Sequence, residues 1–198
     1  MIAALFVEKE GPYRELDVWG VERDARTYRG PYPVIAHPPC ERWGRYWSGG
    51  PSAKLRRKLG DDAGCFRSAL TSVRQFGGVL EHPEGSHAFR KFGLPIPNFN
   101  GCWTEMDSHG GRSCCVAQGH YGHRARKMTW LYGVNINFKE LIWGPIKKER
   151  LDEGFHSAKE RKEKRTLGQK PRPRLSRKEN IWTPEPFRDL LISLVRTR

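Results

Sequence analysis

Pro33-Val34-Ile35-Ala36-His37-Pro38-Pro39-Cys40 and Gly77-Gly78-Val79-Leu80-Glu81-His82-Pro83 bracket the stretch that decides the fold. The first is a short apolar run, rich in β-branched residues, that ends at a histidine and two prolines. It reads as a buried strand. Between the two, from Asp61 to Phe76, Phe66, Ala69, Leu70 and Val73 recur at three- and four-residue spacing. That spacing predicts an amphipathic helix, with Asp61 or Asp62 able to cap its start and Gly77-Gly78 suited to its stop. Val79-Leu80 then begins a second strand, closed by Glu81-His82-Pro83. Strand, helix, strand in this order predicts a parallel βαβ unit. Parallel strands joined by a crossover helix end on the same edge of their sheet, so Cys40 and Glu81 are expected near one another. That edge is where open α/β sheets bind ligands.

Working outward, Met1 to Val7 reads as another buried strand and Thr129 to Val134 as a further one, preceded by the basic stretch His123-Arg124-Ala125-Arg126-Lys127. Pro95 to Gly122 is rich in Gly and Pro and is expected to be irregular. Between Lys147 and Lys178 stand 13 Lys or Arg against 5 Asp or Glu, a net +8 within a chain total of +14. Thr183-Pro184 followed by Phe187, Leu190, Leu191, Leu194 and Val195 predicts a helix that packs back on the core. The expected fold is therefore α/β: a single-domain, Rossmann-like, mostly parallel sheet with a basic extension and a C-terminal helix. Residues 1–146 would form the α/β catalytic-type domain, 147–180 a basic arm or loop, and 181–198 the C-terminal helix.

The 198 residues suffice for one domain with a real core. With 36 Lys plus Arg against 22 Asp plus Glu, the chain would attract a polyanion. Nucleic acid is the expected partner, with DNA ahead of RNA. No apolar run approaches the roughly 20 residues that span a bilayer, and no signal-peptide pattern opens the chain, so a cytoplasmic protein with no membrane partner is expected. Five cysteines at irregular spacing argue for reduced thiols rather than a disulfide framework.

Cys40 lies just past a strand end, on a proline-stiffened turn among Arg42, Arg45 and His37, positive neighbours that would favour a thiolate nucleophile. A small buried thiol on a structural turn is the plainer alternative. Glu81 at its strand end could hydrogen-bond a base edge or act as a general acid, or sit in a salt bridge. Arg124 and Arg126, two apart, would share one side of an extended segment and face a phosphate. Trp43, Tyr46, Trp47, Trp103 and Tyr121 are interleaved with Arg and Gly, a pattern that suits base stacking as well as core packing. Trp43 and Trp47 are the expected wall of a substrate pocket. Cys102, His109, Cys114, Cys115, His120 and His123 offer zinc-ligand chemistry without a Cys-x-x-Cys pair, so no metal is assigned.

The order Pro38-Pro39-Cys40, Glu81-His82-Pro83, Arg124-Ala125-Arg126 resembles the catalytic signatures of DNA cytosine-C5 methyltransferases: a Pro-Cys nucleophile, a Glu-Asn-Pro triplet and a Gln-x-Arg-x-Arg segment. It is still more similar to short methyltransferase-like phage and prophage proteins that share His-Pro-Pro-Cys, Glu-His-Pro and Gly-His-Arg-Ala-x-Lys-x-Thr-Trp-Leu-Tyr, and a phage origin would put the protein in the bacterial host cytoplasm. The likeness covers about residues 1–135. It implies that the Cys40 thiolate adds to C6 of a pyrimidine, that Glu81 contacts N3 and the exocyclic amine, and that Arg124 and Arg126 hold the base carbonyl or a phosphate. His37, Trp43, Trp47, His82, His123 and Lys127 would line the substrate. S-adenosylmethionine is the implied cofactor, with Phe6, Glu22, Asp24 and Pro38 at its site. A duplex target would flip its base out of the stack.

The chain departs from that pattern after its first strand, where Val7-Glu8-Lys9-Glu10-Gly11-Pro12 holds one glycine in place of a glycine-rich loop. Histidine stands for asparagine in Glu-His-Pro, Gly122-His123 for the expected glutamine position, and no target-recognition domain follows. Two functions stay open: a reduced base-modifying enzyme, favoured by the motif order, and a nucleic-acid-binding phage accessory or anti-restriction protein on the same scaffold, favoured by the missing glycines. A zinc-dependent nuclease is a third.

Overall fold

The structure is a computed structural model that describes residues 1–48, 57–146, 162–163, 165–168 and 175–196. Six strands, β1 (Ala3–Leu5), β2 (Asp17–Trp19), β3 (Val34–Ala36), β4 (Gly78–Pro83), β5 (Gly111–Ala117) and β6 (Met128–Val134), form one sheet in the order β2-β1-β3-β4-β6-β5. The pairs β1/β2, β1/β3 and β3/β4 are parallel, while β6 runs antiparallel to both β4 and β5. Five of the six strands therefore point the same way. The order reverses at β1, which has β2 on one side and β3 on the other, so the crevice at the C-terminal ends of these strands is a topological switch point.

The βαβ unit forms as the spacing predicts. Helix α1 (Cys65–Phe76) buries Phe66, Ala69, Leu70 and Val73 against the sheet. Asp62 holds its start by accepting from the Phe66 N–H at 2.8 Å, and the same carboxylate accepts from Trp43 Nε1 at 2.8 Å. Gly78 opens β4 at φ 124°, and a Cβ there would lie 1.9 Å from the Val34 carbonyl oxygen. Only glycine permits β4 to approach β3 so closely at that end.

Alternation along the strands divides the core between two faces. Ala3, Leu5, Val34, Ala36, Leu80, Cys115, Trp130 and Tyr132 pack with α1 on one face. Ile2, Ala4, Ile35, Val79, Cys114, Val116 and Leu131 pack on the other with Phe187, Leu190, Leu191 and Leu194 of the last helix, α4 (Glu185–Val195). Two short α-helices, α2 (His87–Lys91) and α3 (Arg177–Ile181), are capped by Ser86 and Ser176, and 3-10 turns form at Ala25–Thr27 and Gln118–Tyr121.

Two expectations are corrected. The Pro95–Gly122 stretch contains β5, which pairs along its whole length with β6. Residues 175–180 belong to the packed body rather than to a free arm: Leu175 is buried and α3 lies against the basic stretch through Arg124 and Glu179. Of the remaining arm, 147–161, 164 and 169–174 lie outside the described residues. Among the described residues, no helix is long and apolar enough to cross a membrane.

Candidate active site

Register brings the motif residues together. Ala36 pairs with Leu80, so the chain leaving β3 and the last residues of β4 emerge side by side. His37 is the first residue past β3, and its Nδ1 lies 3.0 Å from Glu81 Oε2. On its other side, His37 Nε2 lies 2.8 Å from the Tyr13 hydroxyl. Gln118, one residue past β5, donates from Nε2 to Glu81 Oε1 at 3.2 Å and to Thr129 Oγ1 at 2.9 Å. Tyr13, His37, Glu81, Gln118 and Thr129 thus form one connected polar chain across the strand ends. They lie on the α4 face of the sheet, as the alternation from Ile35, Val79, Val116 and Leu131 requires.

Charge at this edge is unevenly shared. Burial would raise the Glu81 carboxyl, but the hydrogen bond and charge of His37, with Lys127, hold it below the ordinary carboxylate value. Burial lowers the Lys127 ammonium, against the opposing pull of Glu81 and Cys40. Lys127 takes a left-handed backbone conformation, φ 39°, just before β6, and its Nζ donates to the Trp182 carbonyl at 3.2 Å. The Cys40 thiol is pushed up by burial and by Glu81, with Lys127 pulling the other way. This corrects the expectation of a thiolate favoured by Arg42, Arg45 and His37: the imidazole is committed to Glu81 and Tyr13, and Lys127 is the cation that acts on the sulfur.

Glu81 and Cys40 share the edge, and the Lys127 charge acts on both. His82 is different. One residue past Glu81, it points into the opposite face with no exposed surface, its ring edge-on to Phe66 at 5.1 Å and its Nδ1 2.7 Å from Ser86 Oγ. Burial lowers it to about 4, against the Glu81 charge and the Pro39 carbonyl. His82 is therefore a core residue, too deep to line a substrate. Trp43 is buried in the same core against Phe66 and Phe92, while Trp47 is half-buried on the surface turn. His123 is buried too, with Nδ1 accepting from the Ala125 N–H and Nε2 3.2 Å from the Glu179 carbonyl. It locks this loop to α3.

The two arginines separate. Arg124 forms an ion pair with Glu179 on α3, whereas Arg126 acts on Cys115 at the other face of the sheet. The bridge at Ala125 and the turn at Lys127 break the extended run that would have aligned them. The cysteines and histidines of the Cys102–His123 region are likewise dispersed. Cys114 and Cys115 face opposite cores, His120 lies 3.2 Å from the Gly144 carbonyl, and no group of three or more potential metal ligands occurs among the described residues. Trp103 packs on Phe138 and Tyr121 on Phe187, and Tyr46 is exposed.

A cavity of about 930 Å³ opens at the ends of β1 and β2, lined by Phe6, Val7, Leu16, Val18, Glu22 and Asp24 among others, and by Pro39. Its volume and largely apolar wall suit a small organic ligand. Phe6 turns out of β1 at φ 60°, the left-handed conformation that glycine adopts most cheaply, so the chain bends sharply here without a glycine. Glu22 is paired with Lys9, and Asp24 with Arg26. Of the four positions expected at a donor site, Phe6, Glu22 and Asp24 line this cavity; Pro38 is buried and the next residue, Pro39, takes its place. A second cavity, of about 440 Å³, is lined by Gly122, His123, Arg124, Lys178, Glu179, Trp182 and Pro184.

No protein-family model, curated protein or solved structure matches this chain.

Sequence reasoning missed Tyr13, Gln118 and Thr129. Tyr13 sits in an aperiodic loop. Gln118 was hidden because its strand, β5, reads as irregular sequence.

Proposed function

We propose that the chain modifies a pyrimidine base of nucleic acid, most simply cytosine at C5, through a covalent adduct of Cys40. The observation that carries this reading is the meeting of Cys40, Glu81 and Lys127 at the C-terminal edge of the parallel strands, beside the switch point. The Cys40 thiol passes its proton to water, Lys127 stabilises the thiolate, and as the sulfur bonds to C6 the C5–C6 π pair becomes the carbon nucleophile at C5. Glu81, held by His37 and Gln118, faces the N3 edge and the exocyclic amine. Tyr13 and Thr129 keep those two partners in place. The cavity at Phe6, Glu22, Asp24 and Pro39 fits a methyl donor of the S-adenosylmethionine kind in size and wall chemistry, and such a donor supplies an activated methyl group for C5. The basic stretch 147–178 would attract the phosphate backbone, with DNA the expected polymer.

The raised Cys40 thiol favours a second reading, in which the same scaffold binds nucleic acid as an accessory protein without turnover. Mass spectrometry after incubation with DNA containing 5-fluorocytosine, with and without S-adenosylmethionine, separates the two. A mass increase lost in Cys40→Ala supports the enzyme, and its dependence on the donor identifies the cofactor. Binding that is unaltered by Cys40→Ala, with no adduct under either condition, supports the accessory protein.

A further inference from the structure

We propose that the cavity beside Trp182 holds a second nucleotide, the strand neighbour of the base presented to Cys40, so that the substrate is single-stranded nucleic acid engaged at two places. The inference rests on the assignment of Cys40 and Glu81 to the target base made above, and it names the form of the polymer. The cavity measures about 440 Å³, within the range of pockets that take one small ligand. Trp182, which follows α3, lines it and is 47 % exposed. Its indole supplies an aromatic face, and every base has a face to lay against one. Gly122, at φ 90°, and Pro184 add an apolar wall with no polar side chain; a Cβ built on Gly122 would lie 3.4 Å from Pro184 Cβ.

Charge decides between a neutral ring and a nucleotide. Arg124 and Lys178 bring two positive charges to the cavity and Glu179 one negative, which leaves one positive charge. Glu179 is committed to its own surroundings. Its carboxylate pairs with Arg124 and accepts from the Ser176 hydroxyl at 2.6 Å and the Ser176 N–H at 2.9 Å, bonds that hold it below the ordinary carboxylate value. Lys178, on the exposed side of α3, is the point charge suited to one phosphate.

The place of the cavity relative to the sulfur argues for a strand neighbour. Lys127 connects the two: its Nζ donates to the Trp182 carbonyl at 3.2 Å, and its charge acts on Cys40 and Glu81. Both places thus lie around one ammonium, where adjacent nucleotides of one strand can reach them together. The Arg124–Glu179 ion pair and His123 Nε2, 3.2 Å from the Glu179 carbonyl, tie α3 to the segment before β6 and so hold the cavity beside the site. A duplex meets these demands poorly. It shows base edges in its grooves and keeps the faces stacked, so two consecutive bases would have to leave the stack. A single strand offers both at lower cost.

Anisotropy titrations of the full chain with short labelled oligonucleotides, each with one cytosine among thymines, test the proposal. The wild type should bind the single strand at least about 10-fold tighter than the duplex; equal or tighter duplex binding overturns it. Trp182→Ala should weaken single-strand binding by about 5–50-fold, and Trp182→Phe, which keeps an aromatic face, by much less. Removing the base next to the cytosine, on each side in turn, locates the contact. On one side the loss should match that of Trp182→Ala in the wild type and be absent in Trp182→Ala. Abasic sites that weaken both proteins alike, or neither, overturn the proposal. Absence of a Cys40 adduct with the 5-fluorocytosine strand counts against base modification, while the Trp182 and abasic comparisons, which read binding alone, still decide whether the cavity holds a base.

Discussion

Glu81 and His82 are consecutive residues whose side chains leave β4 on opposite faces, one into the polar chain of His37 and Gln118 and the other into the core beneath the Cys40 turn. A single strand thus supplies the carboxyl of the candidate site on one face and a buried core histidine on the other. Their pH behaviour follows from their surroundings. His82 is lowered to about 4 by burial from an ordinary value of 6.5, so the unfolded chain binds its proton first as pH falls. Stability is full above about pH 6.5 and drops between there and about pH 4, by on the order of 3 kcal/mol. Glu81, also below its ordinary value, adds a loss at still lower pH. Urea denaturation across this range should show the slope, and His82→Gln should flatten its upper part. A slope unchanged by that substitution would refute the assignment.

Lys127 opposes the upward push on the Cys40 thiol. Replacing it with Gln removes the charge that opposes the upward push on Cys40, so the thiol should titrate higher. Alkylation of Cys40 by iodoacetamide near neutral pH should slow by about 3–10-fold, with the rate recovering at alkaline pH. An unaltered alkylation profile would place Lys127 outside the reach of the sulfur.

Much of this was legible in advance, and the reasons differ by element. Helix α1 and the strands on either side of it declare themselves because apolar spacing, an aspartate near the start and a glycine pair at the stop agree with one another. From them alone follows the neighbourhood of residues 40 and 81. By contrast β5, Gly-Arg-Ser-Cys-Cys-Val-Ala, is built of small and sulfur-bearing residues between glycines, and only its pairing with β6 makes it a strand. β2 is three residues long and half-buried, too short to carry a pattern. Gln118 and Tyr13 depend on those two regions, so they stayed hidden with them. Trp43 and His82 were named for chemistry that their side chains could do in the open, and burial assigns them to packing.

Gly78 should tolerate nothing larger. In Gly78→Ala the methyl would meet the Val34 carbonyl oxygen at a conformation, φ 124°, that other residues rarely adopt. A loss of at least about 2–3 kcal/mol is expected, read as a lower denaturation midpoint. Gly64→Ala is the control: it also has positive φ, 77°, but a Cβ there meets nothing within 4 Å, so it should cost less. Equal losses at the two positions would show that the close approach of β3 and β4 has no energetic weight.

If the chain binds nucleic acid as proposed, the cavity at Trp182 offers an exposed aromatic face for an unstacked base. Trp182, 47 % exposed, stands beside Lys178 and Arg124. Trp182→Ala should weaken binding of a single-stranded oligonucleotide by about 5–50-fold, the range of a lost base–aromatic stack of 1–3 kcal/mol at its lower end. Lys178→Gln should reduce the salt dependence of binding by close to one counterion. Fluorescence anisotropy titrations at several salt concentrations measure both, and wild-type affinity in Trp182→Ala would remove this surface from the path of the strand.

Pro39 borders the cavity at Phe6, and the very next residue is Cys40. The turn that carries the sulfur therefore starts at the rim of that cavity, and the two residues before the thiol are prolines whose rings fix their φ angles, so the distance from cavity to sulfur is set by a pair of residues with little freedom to bend.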